Sequence, residues 1–274
     1  MRTSNLTGTA RIAALMVALS IAVSGCFRDD PPCCVEPFGP VTVTTVRDGF
    51  AGVNEKLMID VDGAALFMGN QPVGGKMRPG DLAELRRLLT GTQIRREAGN
   101  RDDSDRCSDG VTRTLRMGRL LVDRELCQNP AKAPAFERAL ALTSPDRLQR
   151  LVPLPTAPLL PALTVTRAGD IDLTPARYAV SPVGVMTVRR NGQSEQPAAL
   201  RPDKLDALRL LLVRPVRGGS ESDCRGYAYR VSVAGPQPAS AAYCDRGLLR
   251  YPVLDRYADL AAIIRVLLDA AGDR

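Results

Sequence analysis

Four leucines at helical spacing occur twice in this chain. Leu82, Leu85, Leu88 and Leu89 follow Arg78-Pro79, and Leu205, Leu208, Leu211 and Leu212 follow Arg201-Pro202, the two segments matching at an offset of 123. Each set predicts a helix with one apolar stripe to bury, begun by a proline that suits the first turn. Upstream of each helix, alternating apolar and polar positions predict three short strands: 41–47, 57–61 and 64–68 in the first copy, with Asp62-Gly63 turning the last two, and 162–167, 177–180 and 185–190 in the second. Downstream, 111–117 with 120–123 and 227–234 with 240–243 predict hairpins. A last helix closes each copy. In the second it carries Leu260, Ile263, Ile264, Leu267 and Leu268; in the first it runs over 136–142 and stops before Pro145. The expected fold is therefore α+β: two tandem β-β-β-α-β-β-α repeats, with antiparallel sheets and helices on one face.

The cysteines repeat as well. Cys107 and Cys127 are twenty apart, Cys224 and Cys244 are twenty apart, and the pairs match at an offset of 117. Their midpoints, Met117-Gly118 and Ala234-Gly235, fall at the hairpin turns, so each pair is expected to form a disulfide across the base of its hairpin. Closing such a loop contributes roughly 3 kcal/mol through the denatured state. The rival arrangement, a four-cysteine zinc site, lacks a C-x-x-C pair. Cys33 and Cys34 are left to pair with each other through a strained ring, to link to another molecule, or to stay reduced.

Residues 12–23 are uninterruptedly apolar or small and follow Arg2 and Arg11 with no acid, the layout of an export signal. The run is too short to span a bilayer, which takes about 20 apolar residues. It ends in Val23-Ser24-Gly25-Cys26, which resembles the lipobox of bacterial lipoproteins. That resemblance implies a diacylglyceryl group on the thiol of Cys26, cleavage before it, and a membrane anchor on the extracytoplasmic face. The expected organisation is a signal peptide over 1–25, a proline- and cysteine-rich tether over 26–40, the first repeat over 41–151, a proline-rich linker over 152–161 and the second repeat over 162–274. The linker is apolar enough to lie along a domain surface rather than move freely.

Composition narrows the chemistry. The formal charge of +7 falls to +5 once two arginines leave with residues 1–25, and lysine occurs only at positions 56, 76, 132 and 204, an arginine preference that resembles the coding bias of GC-rich genomes. Nucleic acid is not an expected partner, because the chain is exported and has no basic stripe interleaved with aromatics. The sequence contains no histidine, which removes the commonest general base and the usual Ser-His, Cys-His and catalytic zinc arrangements. Acids such as those of Arg101-Asp102-Asp103-Ser104-Asp105-Arg106 sit in a charged run that reads as a solvated face. No phosphate-binding or dinucleotide fingerprint appears. No catalytic residue, metal or cofactor is expected, and binding is the expected work.

Thr45-Val46-Arg47-Asp48-Gly49-Phe50-Ala51-Gly52-Val53, followed by a strand, an Asp-Gly hairpin, a third strand and a leucine-rich helix, resembles the emfourin family of small inhibitors of thermolysin-like (M4) metalloproteases. The likeness covers roughly residues 41–90, where the family often reads Ser-Gly-Gly-Phe-Ala-Gly. It implies a contact loop made of Gly49, Phe50, Ala51 and Gly52, with a metalloprotease or another envelope protein as partner. The second copy reads Arg167-Ala168-Gly169-Asp170-Ile171 and loses Phe-Ala-Gly, so the loop's activity is expected in the first copy alone. Phe50 has a second reading as a plug folded back into the core. The alternative function is a structural or scaffolding lipoprotein that holds an envelope protein or an anionic wall polymer through its arginines.

Overall fold

Alternation along the strands builds two antiparallel sheets. The computed structural model describes residues 37–47, 54–99, 110–125, 129–148, 150–155, 159–168, 175–191, 193–195, 197–218, 224, 226–235, 238–245 and 257–273. In the first half, β1 (Val41–Arg47), β2 (Glu55–Ile59), β3 (Ala64–Met68), β4 (Val73–Lys76), β5 (Val111–Met117) and β6 (Leu120–Glu125) form one sheet in the order β4-β3-β2-β1-β5-β6. In the second half, β7 (Leu163–Ala168), β8 (Ala176–Val180), β9 (Val185–Arg190), β10 (Gln193–Ser194), β12 (Tyr227–Val233) and β13 (Ala239–Asp245) lie in the order β10-β9-β8-β7-β12-β13. The short β11 (Ala198–Ala199) pairs with β9 beside β10. The molecule is thus α+β, with two like sheets.

Each sheet is centred on the first strand of its half. Val41 and Val43 of β1 are buried and stand opposite Ile59 and Leu57 of β2 on one side and Met117 and Leu115 of β5 on the other. Leu163 and Val165 of β7 repeat this between Val180 and Tyr178 of β8 and Val233 and Val231 of β12. The period of two puts these side chains on one face, where helices cover them. In the first half α1 (Pro79–Thr90) buries all four leucines of its stripe. It is followed by α2 (Thr92–Gly99), α3 (Pro134–Leu142) and the single turn α4 (Pro145–Leu148). In the second half α5 (Pro202–Leu212) and α6 (Ala258–Ala271) do the covering, and α6 ends at Gly272, whose φ of 71° is the left-handed conformation that glycine supplies at a helix end. α3 has no capping side chain of its own at its start. The buried carboxylate of Glu97, from α2, accepts from the backbone N–H groups of Ala135 (3.0 Å) and Phe136 (2.9 Å) instead.

Several elements exceed the expected β-β-β-α-β-β-α order: β4, α2 and α4 in the first half, β10 and β11 in the second. β4 was hidden because Val73-Gly74-Gly75-Lys76 shows no alternation and glycine is a poor strand former. It is held by β3 along its length and by one bridge from Val152 to Lys76. Residues Phe38–Arg274 form one compact unit. Leu66 and Met68 of β3 belong to the apolar core of the second half, and β4 lies directly on α5. The segment after α4 is tied down too. Its Leu154 N–H donates to Asp206 Oδ2 (2.9 Å), and Leu160 is buried.

The signal segment, Cys26, and Cys33 and Cys34 lie outside the described residues. Among the described residues no helix is long and apolar enough to cross a membrane.

Candidate functional site

The expected contact loop, Gly49, Phe50, Ala51 and Gly52, falls outside the described residues, as do Cys107 and Cys127. The strands that frame the loop are described: Thr45 of β1 stands opposite Glu55 of β2 and, on its other side, opposite Arg113 of β5. Beside this row lies a small groove of about 110 Å³, closed by Leu140, Thr143 and Ser144 at the end of α3. Burial raises the Glu55 carboxyl above the usual range, with Arg113 pulling it back down. A carboxyl raised in the folded state binds its proton more tightly there than in the unfolded chain. Stability is therefore lost as pH rises from the ordinary glutamate value through the raised one. Glu55→Gln is accordingly expected to raise the melting temperature by about 1–2 °C near pH 7 and to leave it unchanged near about pH 3, as read by calorimetry at the two pH values.

Cys224 and Cys244 form a disulfide, with their Cα atoms 5.5 Å apart. They are not direct cross-strand partners. Cys244 lies in β13 opposite Ala228, whereas Cys224 precedes β12. Gly226, immediately before β12, has a φ of 136°, which glycine accepts. The bridge lies one residue from the pair Tyr227 and Asp245, which stand opposite each other at the open end of the β12–β13 hairpin.

Those two residues line a cleft of about 740 Å³ that sequence reasoning did not anticipate. Its floor is the sheet position equivalent to the Thr45 row. Arg167 of β7 stands opposite Ala176 and Tyr229, just as Thr45 stands opposite Glu55 and Arg113. At this position the first half has the groove of about 110 Å³, the second the cleft of about 740 Å³. One wall is the end of α6, with Leu268, Asp269 and Asp273, and the other is the turn between β3 and β4, with Asn70 and Gln71. Two buried cations hold that turn in place. Lys204 Nζ donates to the carbonyl of Pro72 (2.8 Å), and Arg265 donates to the carbonyl of Gly69 (3.2 Å).

The charges of the cleft are mutually compensated. Asp273 accepts from the hydroxyl of buried Tyr178, lies 2.7 Å from Arg190 and 3.9 Å from Arg167, and Arg190 also pairs with Glu195. Asp269 lies 2.7 Å from Lys204. The guanidinium of Arg167 sits over the ring of Tyr227, 4.8 Å from its centroid. Burial pushes the Tyr178 and Tyr229 hydroxyls well above the ordinary tyrosine range; the Asp273 hydrogen bond raises Tyr178 further and Arg167 opposes both. Both stay protonated as donors at neutral pH. Burial also lowers Arg265, against the opposing influence of Tyr243 and Asp245. Among the described residues no group of three His, Cys, Asp or Glu side chains is placed to hold a metal ion. The arrangement offers donors, acceptors and aromatic rings to a bound molecule.

No protein-family model, curated protein or solved structure matches this chain.

Proposed function

We propose that the chain is a lipid-anchored, extracytoplasmic binding protein of two tandem β-β-β-α-β-β-α units, and that the first unit engages a thermolysin-like metalloprotease through Gly49, Phe50, Ala51 and Gly52. Cys26 carries the lipid. The observation that supports the contact loop most is its frame. β1 is paired on both flanks, by a five-residue ladder to β2 and a seven-residue ladder to β5, and β2 is paired on both flanks too, by β1 and β3, so the two ends of the loop spring from interior strands of the sheet. A loop carried on rigid strands binds with less ordering cost, and glycines on either side of a phenylalanine let a partner's backbone approach the ring closely.

The test is inhibition of a panel of thermolysin-like metalloproteases by the full chain in detergent micelles. Inhibition below about 1 μM, weakened at least tenfold in Phe50→Ala, is the expected result, a loss typical of removing a buried aromatic anchor. Full protease activity at about 10 μM inhibitor overturns the contact-loop reading and leaves the envelope scaffold. A scaffold that holds an anionic polymer through its arginines releases it steeply as salt rises, whereas an apolar loop in a cleft does not.

A further inference from the structure

We propose that the cleft bounded by the second sheet, the end of α6 and the β3–β4 turn is a binding site for an uncharged oligosaccharide. It is separate from the loop of the first half and stands or falls independently of it. A volume of about 740 Å³ is in the range of sites for small ligands.

The charge pattern selects the ligand. Arg167, Arg190, Lys204 and Arg265 are matched by Asp245, Asp269, Asp273 and Glu195 in and immediately around the cleft. An anion would meet carboxylates on the walls, and a cation would find the face of Tyr227 already occupied by Arg167. A peptide with apolar side chains fares no better, since Leu268 is the one aliphatic residue among the described residues lining the cleft. What the cleft does present is a dense mixture of acceptors and donors: carboxylates, guanidinium groups, the amides of Asn70 and Gln71 and the tyrosine hydroxyls. Each sugar hydroxyl both donates and accepts, so a polyol satisfies such a lining without bringing net charge.

Two structural devices preorganise this site. The Cys224–Cys244 disulfide lies beside Tyr227 and Asp245, and the buried donors Lys204 and Arg265 fix the carbonyls on either side of Asn70 and Gln71.

The experiment is titration calorimetry of the full chain, in a detergent without a sugar headgroup, with maltotriose, cellotriose and triacetylchitotriose, and with trigalacturonate as the charged comparison. Expected is saturable binding of at least one neutral trisaccharide, changed less than about twofold between 0.05 and 0.5 M salt. Asn70→Ala with Gln71→Ala is expected to weaken it at least tenfold. Both residues are exposed, so this variant keeps its fold, which an unchanged melting temperature verifies. Tyr227→Ala is expected to weaken binding to a similar extent. Failure of all three neutral sugars to bind at about 10 mM overturns the proposal, as does tighter, salt-sensitive binding of trigalacturonate. Unaltered binding in the Asn70/Gln71 variant also overturns it, by placing the sugar elsewhere.

Discussion

Gly74→Val is expected to destabilise the protein by about 3 kcal/mol or more, read as a lowered urea midpoint. A Cβ built on Gly74 would stand 2.4 Å from the backbone nitrogen of Ala207, 2.6 Å from its Cα and 2.7 Å from the carbonyl carbon of Asp206. These are main-chain atoms in the middle of α5. No side-chain rotation relieves the collision, and the sheet edge and the helix must separate to admit the new atom. Their separation would also disturb the neighbouring contacts of Leu66 and Met68 with the second core. Gly80→Ala is the control. Nothing lies within 4 Å of a Cβ at that position in the first turn of α1, so the substitution is expected to be neutral or to stabilise by up to about 1 kcal/mol. Equal losses from the two substitutions would contradict close backbone packing between β4 and α5.

Lys204→Met reaches a loss of about 3–5 kcal/mol by another route. The lysine is 3% exposed, its ammonium group lies 2.7 Å from Asp269 Oδ2 and donates to the carbonyl of Pro72 at 2.8 Å. Methionine keeps most of the volume. It leaves a largely buried carboxylate without its nearby cation and a carbonyl without this donor, and the penalty belongs to those abandoned groups rather than to the lost attraction. Removing both charges should therefore cost less than removing one. In a double-mutant cycle, Lys204→Met combined with Asp269→Leu is expected to be at least about 1.5 kcal/mol more stable than Lys204→Met alone. If the double variant were less stable than either single one, the pair would contribute net attraction beyond its desolvation cost.

The parts legible in the sequence are those with a regular period. Strands 41–47, 64–68, 111–117 and 185–190 coincide with β1, β3, β5 and β9, and the leucine stripes mark α1 and α5. The last leucine and isoleucine pattern marks α6. β4, β10 and β11 were hidden because they are short and take their stability from a neighbouring strand or helix, not from an alternation of their own. The disulfide partners were legible from spacing, whereas the offset between Cys224 and its strand was not. Spacing counts residues, whereas the register of β12 against β13 is a matter of strand pairing. The cleft was illegible for a further reason. Asn70, Arg167, Tyr227 and Asp273 are far apart in the chain and meet only when the two halves are packed. One trace of it was visible. α5 places Lys204 and Asp206 where the matching positions of α1 hold Asp81 and Ala83, and a buried charge in a helix needs a partner brought by the fold.

α1 and α5 meet different surroundings. α1 buries one stripe and shows its other sides to solvent or to shorter elements, whereas α5 buries Lys204, Asp206 and Ala207 beside Leu208 and Leu211, leaves Leu205 and Leu212 half-buried, and accepts the edge of the first sheet along its back. The join between the halves is head to tail, with the β4 edge of one against the helix of the other, and so it lacks the twofold symmetry that would hold both halves to the same sequence. Each copy answers to different neighbours. The halves are related in plan yet no longer exchangeable, and a chain with their order reversed would bring together an edge and a helix that were never fitted to one another.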